Sequence, residues 1–133
     1  MIEQLVYISR AASPDGCEAD VLDILAQSRR HNPANNITGA LAVTSTHFVQ
    51  ILEGTPGSLD VLLLKLLLDD RHVDIEVLDR APVTERAFGQ WAMVAPAMPP
   101  ESHRRLALLV ESGCRSAAAY RTLLLDHCAT GPR

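Results

Sequence analysis

A chain of 133 residues, 47% apolar and 21% charged, is long enough to bury one real core and too apolar for a disordered tail. Its formal net charge is −4, and its Lys and Arg residues are scattered apart from Arg29-Arg30 and Arg104-Arg105, which argues against a nucleic-acid or anionic-membrane partner. No signal-peptide pattern follows Met1, and the longest apolar run, VLLLKLLL (61–68), is broken by Lys65 and far too short to cross a bilayer.

Residues 2–9, IEQLVYIS, are rich in β-branched side chains and are expected as strand 1. ASPDG (12–16) is turn chemistry. A helix is expected over 17–32, with Val21, Leu22, Ile24, Leu25 and Ser28 on or near one face, stopped where Asn32 precedes Pro33. NITGALAVT (36–44) and STHFVQILEG (45–54) read as strands 2 and 3, joined by a short polar turn into an antiparallel hairpin. The second helix is expected from about Ser58, a candidate N-cap, to Asp70, with Leu59, Leu62, Leu63, Leu66 and Leu67 at helical spacing. VDIEVLDRAPV (73–83) alternates as strand 4, and FGQWAMVA (88–95) reads as strand 5. Pro96, Pro99 and Pro100 mark a boundary, after which two short amphipathic helices are expected near 101–112 and 115–127. These two helices are expected on the free sheet face or against a second subunit. The order βαββαββ is a ferredoxin-like α+β fold, an antiparallel sheet with two helices on one face, plus the two C-terminal helices. Cys17, Cys114 and Cys128 are odd in number and lack metal-ligand spacing, which suits reduced thiols in a cytoplasm, packing as small apolar residues.

Several polar residues stand where packing alone does not want them. Gln50 interrupts the apolar strand THFVQILEG, and a buried amide without partners costs about 1–3 kcal/mol. Tyr7 lies mid-strand 1, where a buried hydroxyl needs a partner. His31 and Asn32 end the first helix. Trp91, the only Trp, is two residues from Met93, and period two predicts both on one face of strand 5. Singly, each has a bland packing explanation; Lys65 and Asp69, i,i+4 on a leucine-rich helix, equally read as a surface ion pair. Together they frame a groove between the two helices. A flat apolar ring with polar edges would suit it, amides reading one edge and a cation meeting a phosphate at the far end.

The segments LVYISRA, SRRHNPANNITGAL, HFVQILEG, DDRH and FGQWAM stand in the order and at the separations of the BLUF family, flavin-binding blue-light sensors, which the chain resembles over residues 2–95. The resemblance implies FAD held non-covalently between the two helices, with its ring edge facing the sheet. It implies Tyr7 as the photo-oxidised tyrosine, Gln50 as the amide between it and the flavin, and Asn32 as the residue bonding the ring's carbonyl and N–H edge. His31 would contact the ring, Lys65 would lie toward the phosphates and Asp69 toward the ribityl chain. Trp91 and Met93 match the positions that compete for the place beside Gln50, and the sequence does not choose between them. Light would move an electron from Tyr7 and a proton through Gln50, leaving a rearranged amide, a red-shifted absorption and no net redox change.

Ala92 stands where many members of that family have Ser, and residues 96–133 match none of its motifs. The expected organisation is a flavin-binding domain over 1–96 and a helical extension with tail over 97–133. The expected role is a short stand-alone sensor, not an enzyme, signalling through strand 5 and the C-terminal helices to an unidentified partner protein or through a homodimer or higher homo-oligomer. Competing expectations are a ferredoxin-like ligand-binding or dimerisation module without photochemistry, an acyl-phosphate hydrolase, and a flavin redox enzyme. The hydrolase lacks a Gly-rich cradle after strand 1, and the redox enzyme lacks a nicotinamide-binding fingerprint.

Overall fold

Period-two alternation along β-branched-rich segments puts a row of apolar side chains on each side of a sheet. In the computed structural model, which describes residues 1–12, 20–89 and 91–128, these segments are β1 (Ile2–Ala11), β2 (Thr38–Val43), β3 (His47–Gly54) and β4 (His72–Val83). They pair antiparallel throughout in the order β2-β3-β1-β4. Helices α1 (Val21–His31) and α2 (Pro56–Leu67) connect them, and α3 (Pro100–Glu111) and α4 (Ala117–Cys128) follow. The ferredoxin-like α+β fold expected from the element order is the fold observed. Residues 13–19, with Cys17 and most of the ASPDG turn, lie outside the described residues.

Each sheet face has its own core. Leu5 and Tyr7 of β1 and Phe48 and Leu52 of β3 pack with Ile24 and Leu25 of α1 and Leu59 of α2. Their neighbours in the alternation, Val6, Ile8, Val49 and Ile51, pack with Leu106 and Val110 of α3 and Tyr120, Leu123 and Leu124 of α4. The C-terminal helices therefore cover the sheet face that α1 and α2 leave open. Full burial of each such side chain contributes about 1.5–3 kcal/mol, so a small sheet gains greatly from being covered twice.

Local chemistry sets the helix ends. α1 stops at His31, but Asn32 keeps helical angles despite preceding Pro33. The chain instead continues into a 3-10 turn at Pro33–Asn35, and Asn36, at φ 53°, makes the left-handed reversal that Asn tolerates better than most residues. The N-cap of α2 is Thr55 rather than the expected Ser58: the Thr55 side chain accepts from the Ser58 N–H, and Pro56 occupies the first turn, where no donor is needed. Thr55→Ala is expected to cost about 1 kcal/mol in urea denaturation, and Ser58→Ala clearly less. α2 is also less one-sided than its leucine spacing predicts. Leu59 is buried and Leu62, Leu63 and Leu66 half-buried, whereas Val61, Leu64 and Leu67 are exposed.

The expected strand 5 is the main difference. Among the described residues of 88–95, only Val94 forms a bridge, parallel to Ala40 on the outer edge of β2. Gly39 N–H donates to Trp91 O, Leu41 N–H to Val94 O, and Val94 N–H to Gly39 O, an attachment too short and too bent to count as a strand. The bend at Ala92 and Met93 breaks the alternation. As a result Trp91 packs with the α3–α4 core and Met93 with the α1–α2 core, on opposite faces rather than the same one.

Candidate functional site

Two helices laid side by side on a sheet leave a groove wherever the side chains between them are short or polar. Here that groove is a cleft of about 250 Å³, walled by Ile24, Ser28, His31 and Asn32 of α1 and by Val61, Leu62, Lys65 and Leu66 of α2. Gln50, Leu52 and Met93 form its sheet side, and Asp69, Arg71 and His72 line it beyond the end of α2.

The Gln50 amide is oriented by both of its ends. Its Oε1 accepts from the Tyr7 hydroxyl, and its Nε2 faces Met93 Sδ at 3.8 Å. Met93, not Trp91, is thus the residue beside Gln50. Tyr7 is fully buried behind the cleft wall and reaches the cleft only through Gln50. Burial pushes the Tyr7 phenol well above its ordinary pKa; the charge of Asp69 adds to this and that of Arg71 opposes it. The phenol is therefore protonated at any ordinary pH, with one acceptor for its proton.

Asn32 is buried, and its Nδ2 donates to Ala92 O at 2.7 Å, while Arg29 Nε donates to Met93 O at 3.1 Å. The C-terminal end of α1 thereby holds the segment that carries Met93. His31 lines the cleft from an exposed position, and so does Lys65.

The alternative reading of Lys65 and Asp69, a surface ion pair, is not what forms. α2 ends at Leu67, so Asp69 lies past the helix, where i,i+4 geometry no longer applies. Arg71 takes it instead, donating from Nε and Nη2 to both carboxylate oxygens at 2.6–3.1 Å and reaching across to Gln27 Oε1 of α1 at 2.6 Å. Burial works against the charge on Asp69, but the Arg71 hydrogen bonds and charge outweigh it and hold the carboxyl below its usual range.

Arg71 and His72, both in the DDRH segment, line the cleft as well, and periodicity gives neither of them a role. His72 is buried, shares a hydrogen bond with Ser9 Oγ at Nδ1 (3.0 Å), and packs edge-on against Phe48. Its buried Nε2 has no hydrogen-bond partner among the described residues, the nearest Asp69 oxygen being 3.7 Å away. An unpartnered buried nitrogen on a residue lining a cleft can take a polar ligand atom or a water. With an amide on the sheet side, apolar walls, and Lys65 and Arg71 as cations, the donor set fits a planar heterocycle carrying a hydroxylated, phosphorylated chain, and FAD has those parts.

The histidines also set a pH dependence. Burial lowers the pKa of His72, the Asp69 charge opposing and Arg71 assisting; burial and Arg10 lower that of His47 against Asp74. Both bind a proton more readily unfolded than folded. Their contribution to stability is present above about pH 6.5 and is lost as pH falls through the folded values. Urea midpoints of the ligand-free protein are expected to drop from pH 7.5 to pH 5.5, and less so in His72→Phe.

Residues 2–94 match the BLUF family, described as sensors of blue-light using FAD. The photoactivated adenylate cyclase subunit alpha of Euglena gracilis is 34% identical over 93 residues, 69% of this chain and 9% of that protein. The chain thus spans about a tenth of the length of the curated relatives it matches. Among solved structures, the dark state of BlrB, a BLUF protein, superposes with a TM-score of 0.77 at 32% identity, covering 96% of this chain and 95% of that one. A bacterial light-regulated adenylyl cyclase superposes with a TM-score of 0.76 at 31% identity, covering 96% of this chain and 40% of that one. These likenesses favour photosensing over a ligand-binding module without photochemistry.

Proposed function

The chain belongs to the BLUF family of blue-light sensors using FAD, and we propose that its light response runs through Tyr7, Gln50 and Met93. The observation that carries this reading is the hydrogen-bonded line from the Tyr7 hydroxyl through the Gln50 amide toward Met93, buried against the cleft. Bound FAD supplies absorption of blue light and an excited state that accepts an electron. Asn32, His31 and Arg71 would orient it, Lys65 would meet its phosphates, and Asp69, fixed by Arg71, would meet its ribityl chain.

Because burial keeps the Tyr7 phenol protonated, Tyr7 gives up its electron together with that proton, and the acceptor in place among the described residues is Gln50 Oε1. When the electron and proton return, no net redox change remains. The amide need not return with them. Its contact with Met93 Sδ is weak, thioether sulfur being a poor acceptor, so Nε2 is cheaply released and the amide settles rotated or tautomerised. The altered hydrogen bond at the cleft shifts the absorption to the red. One neutral hydrogen bond is worth about 0.5–1.5 kcal/mol, enough to move an element whose two arrangements are nearly balanced. The Met93 segment, held by one bridge and a few side chains, is such an element.

In this reading residues 1–96 are the sensing unit and the helices of 97–133 the output surface. They act on a partner protein or a second copy of the chain rather than as a catalyst. Cys114 and Cys128 are free thiols, and burial raises the Cys128 thiol to about 11, so it stays protonated and packs as a small apolar residue. The test is the absorption spectrum of the purified protein before and after blue light. A yellow protein with a reversible red shift is expected. A protein that retains no FAD, or one that is yellow but does not shift, overturns the reading.

A further inference from the structure

One fully buried carboxylate has no part in the light response described above. Glu53 lies on β3, and the period-two alternation turns it to the face opposite Gln50, toward α3 and α4. Its Oε2 accepts from Gln4 Nε2 at 3.0 Å and from the Ala87 N–H at 2.7 Å. Its Oε1 accepts from the Phe88 N–H at 2.9 Å and from the Thr38 hydroxyl at 3.1 Å. The Arg86 guanidinium closes the same corner, donating to Thr38 Oγ1 and to the Glu53 carbonyl. Glu53 thus joins β1, β2 and β3 to the first residues of the chain that goes on to Met93. On the far side of Gln4, its Oε1 accepts from Arg121 Nε of α4, and Arg121 Nη2 donates to Asp79 of β4 at 3.2 Å.

The direction of these bonds is fixed at both ends. A guanidinium holds the carbonyl oxygen of Gln4 and a carboxylate holds its NH₂, so the Gln4 amide cannot turn over without setting donor against donor. Buried polar groups joined in this way have few alternative arrangements, and a displacement at one end is felt at the other. We propose that Glu53 is a positioning residue for the photoresponse: it fixes where the Met93 segment leaves the sheet and, through Gln4 and Arg121, ties that setting to α4. This rests on the roles proposed for Gln50 and Met93. It adds that the signal crosses from the flavin face to the opposite face through a carboxylate, not only along the chain.

The experiment uses the full chain with FAD bound, as wild type, Arg121→Ala and Glu53→Gln. It reads the light-induced red shift, the dark-recovery rate, and light-minus-dark hydrogen exchange in peptides covering 91–94 and α4. Wild type is expected to respond in all of these. Arg121→Ala, half-buried at the surface, is expected to keep the wild-type dark spectrum and red shift and the exchange change at 91–94, while the exchange change in α4 falls about fivefold. Glu53→Gln presents an NH₂ where two donors now point, and is expected to change the recovery rate by about fivefold. A wild-type α4 response in Arg121→Ala overturns the inference, as does a wild-type recovery rate in folded Glu53→Gln. Should Glu53→Gln not fold, Arg121→Ala decides alone. A red shift in wild type without any α4 response overturns the inference and leaves the photochemistry of Tyr7, Gln50 and Met93 standing. A wild type without a red shift removes both.

Discussion

Gln50→Leu is expected to give a protein that stays yellow and shows no light-induced red shift, and Tyr7→Phe is expected to do the same. Leu keeps the volume and apolar contacts of the strand, and Asn32, Arg71 and His72 still line the cleft, so FAD retention survives. What disappears in Gln50→Leu is the group that receives the Tyr7 proton and can change its orientation. In Tyr7→Phe it is the electron and proton donor itself. The two variants also test the geometry in the dark. Gln50→Leu strands the fully buried Tyr7 hydroxyl without an acceptor, at a cost of about 1–3 kcal/mol in urea denaturation of the ligand-free protein. Tyr7→Phe strands Gln50 Oε1 and is expected to cost less, because Gln50 borders the cleft and water can reach it. The double variant removes both partners, so its loss is expected to fall short of the sum of the single losses by about 1 kcal/mol. Full additivity would mean that the two groups do not share a hydrogen bond. A wild-type red shift in Gln50→Leu would remove the amide from the mechanism.

Where sequence reading succeeds and where it stops follows from what periodicity encodes. β1 to β4 and the helices α1 to α4 were legible because apolar residues recur in each at strand or helix spacing, and Gln50 was legible because it interrupts an apolar run. The α2 N-cap was legible in principle: Pro56 is suited to the first helical position, which makes Thr55 rather than Ser58 the cap. The alternative Lys65–Asp69 ion pair is absent for a related reason, since the helix ends at Leu67 and i,i+4 geometry ends with it. Residues 88–95 have the composition of a strand, but side chains remote in sequence take the backbone groups a strand would use. Asn32 and Arg29 hold the carbonyls of Ala92 and Met93, the chain bends there, and Trp91 and Met93 face opposite ways. Glu53 is the clearest case of what no period reveals. A charged residue at a strand end reads as solvent-exposed, and only the arrival of Gln4, Thr38 and two N–H groups from after β4 makes it a buried acceptor.

Gly39→Ala is expected to be the most damaging Gly→Ala substitution among the described glycines. A Cβ at this position would stand 2.2 Å from the Ile51 carbonyl oxygen, with Ile51 C at 3.2 Å and Leu52 Cα at 3.3 Å. All three are backbone atoms of the paired strand, so no side chain can swing aside, and β2 must move away from β3. Overpacking of this kind costs about 1–3 kcal/mol where side chains can give way, and a clash with rigid backbone is expected at the upper end or above. The damage does not stop at the β2–β3 pairing. Gly39 is also where the Met93 segment docks, donating to Trp91 O and accepting from the Val94 N–H, so a displaced β2 takes that attachment with it. Met93 then leaves Gln50, and Ala92 leaves Asn32, the two contacts that shape the sheet end of the cleft. Gly39→Ala is therefore expected to lower the urea midpoint and also to reduce FAD retention, whereas Gly57→Ala, whose Cβ meets nothing within 4 Å, does neither. Stability lost with FAD retained at the wild-type level would show that the Met93 segment holds its place without β2. In that case the hold on it would lie with Asn32, Arg29 and Glu53 alone.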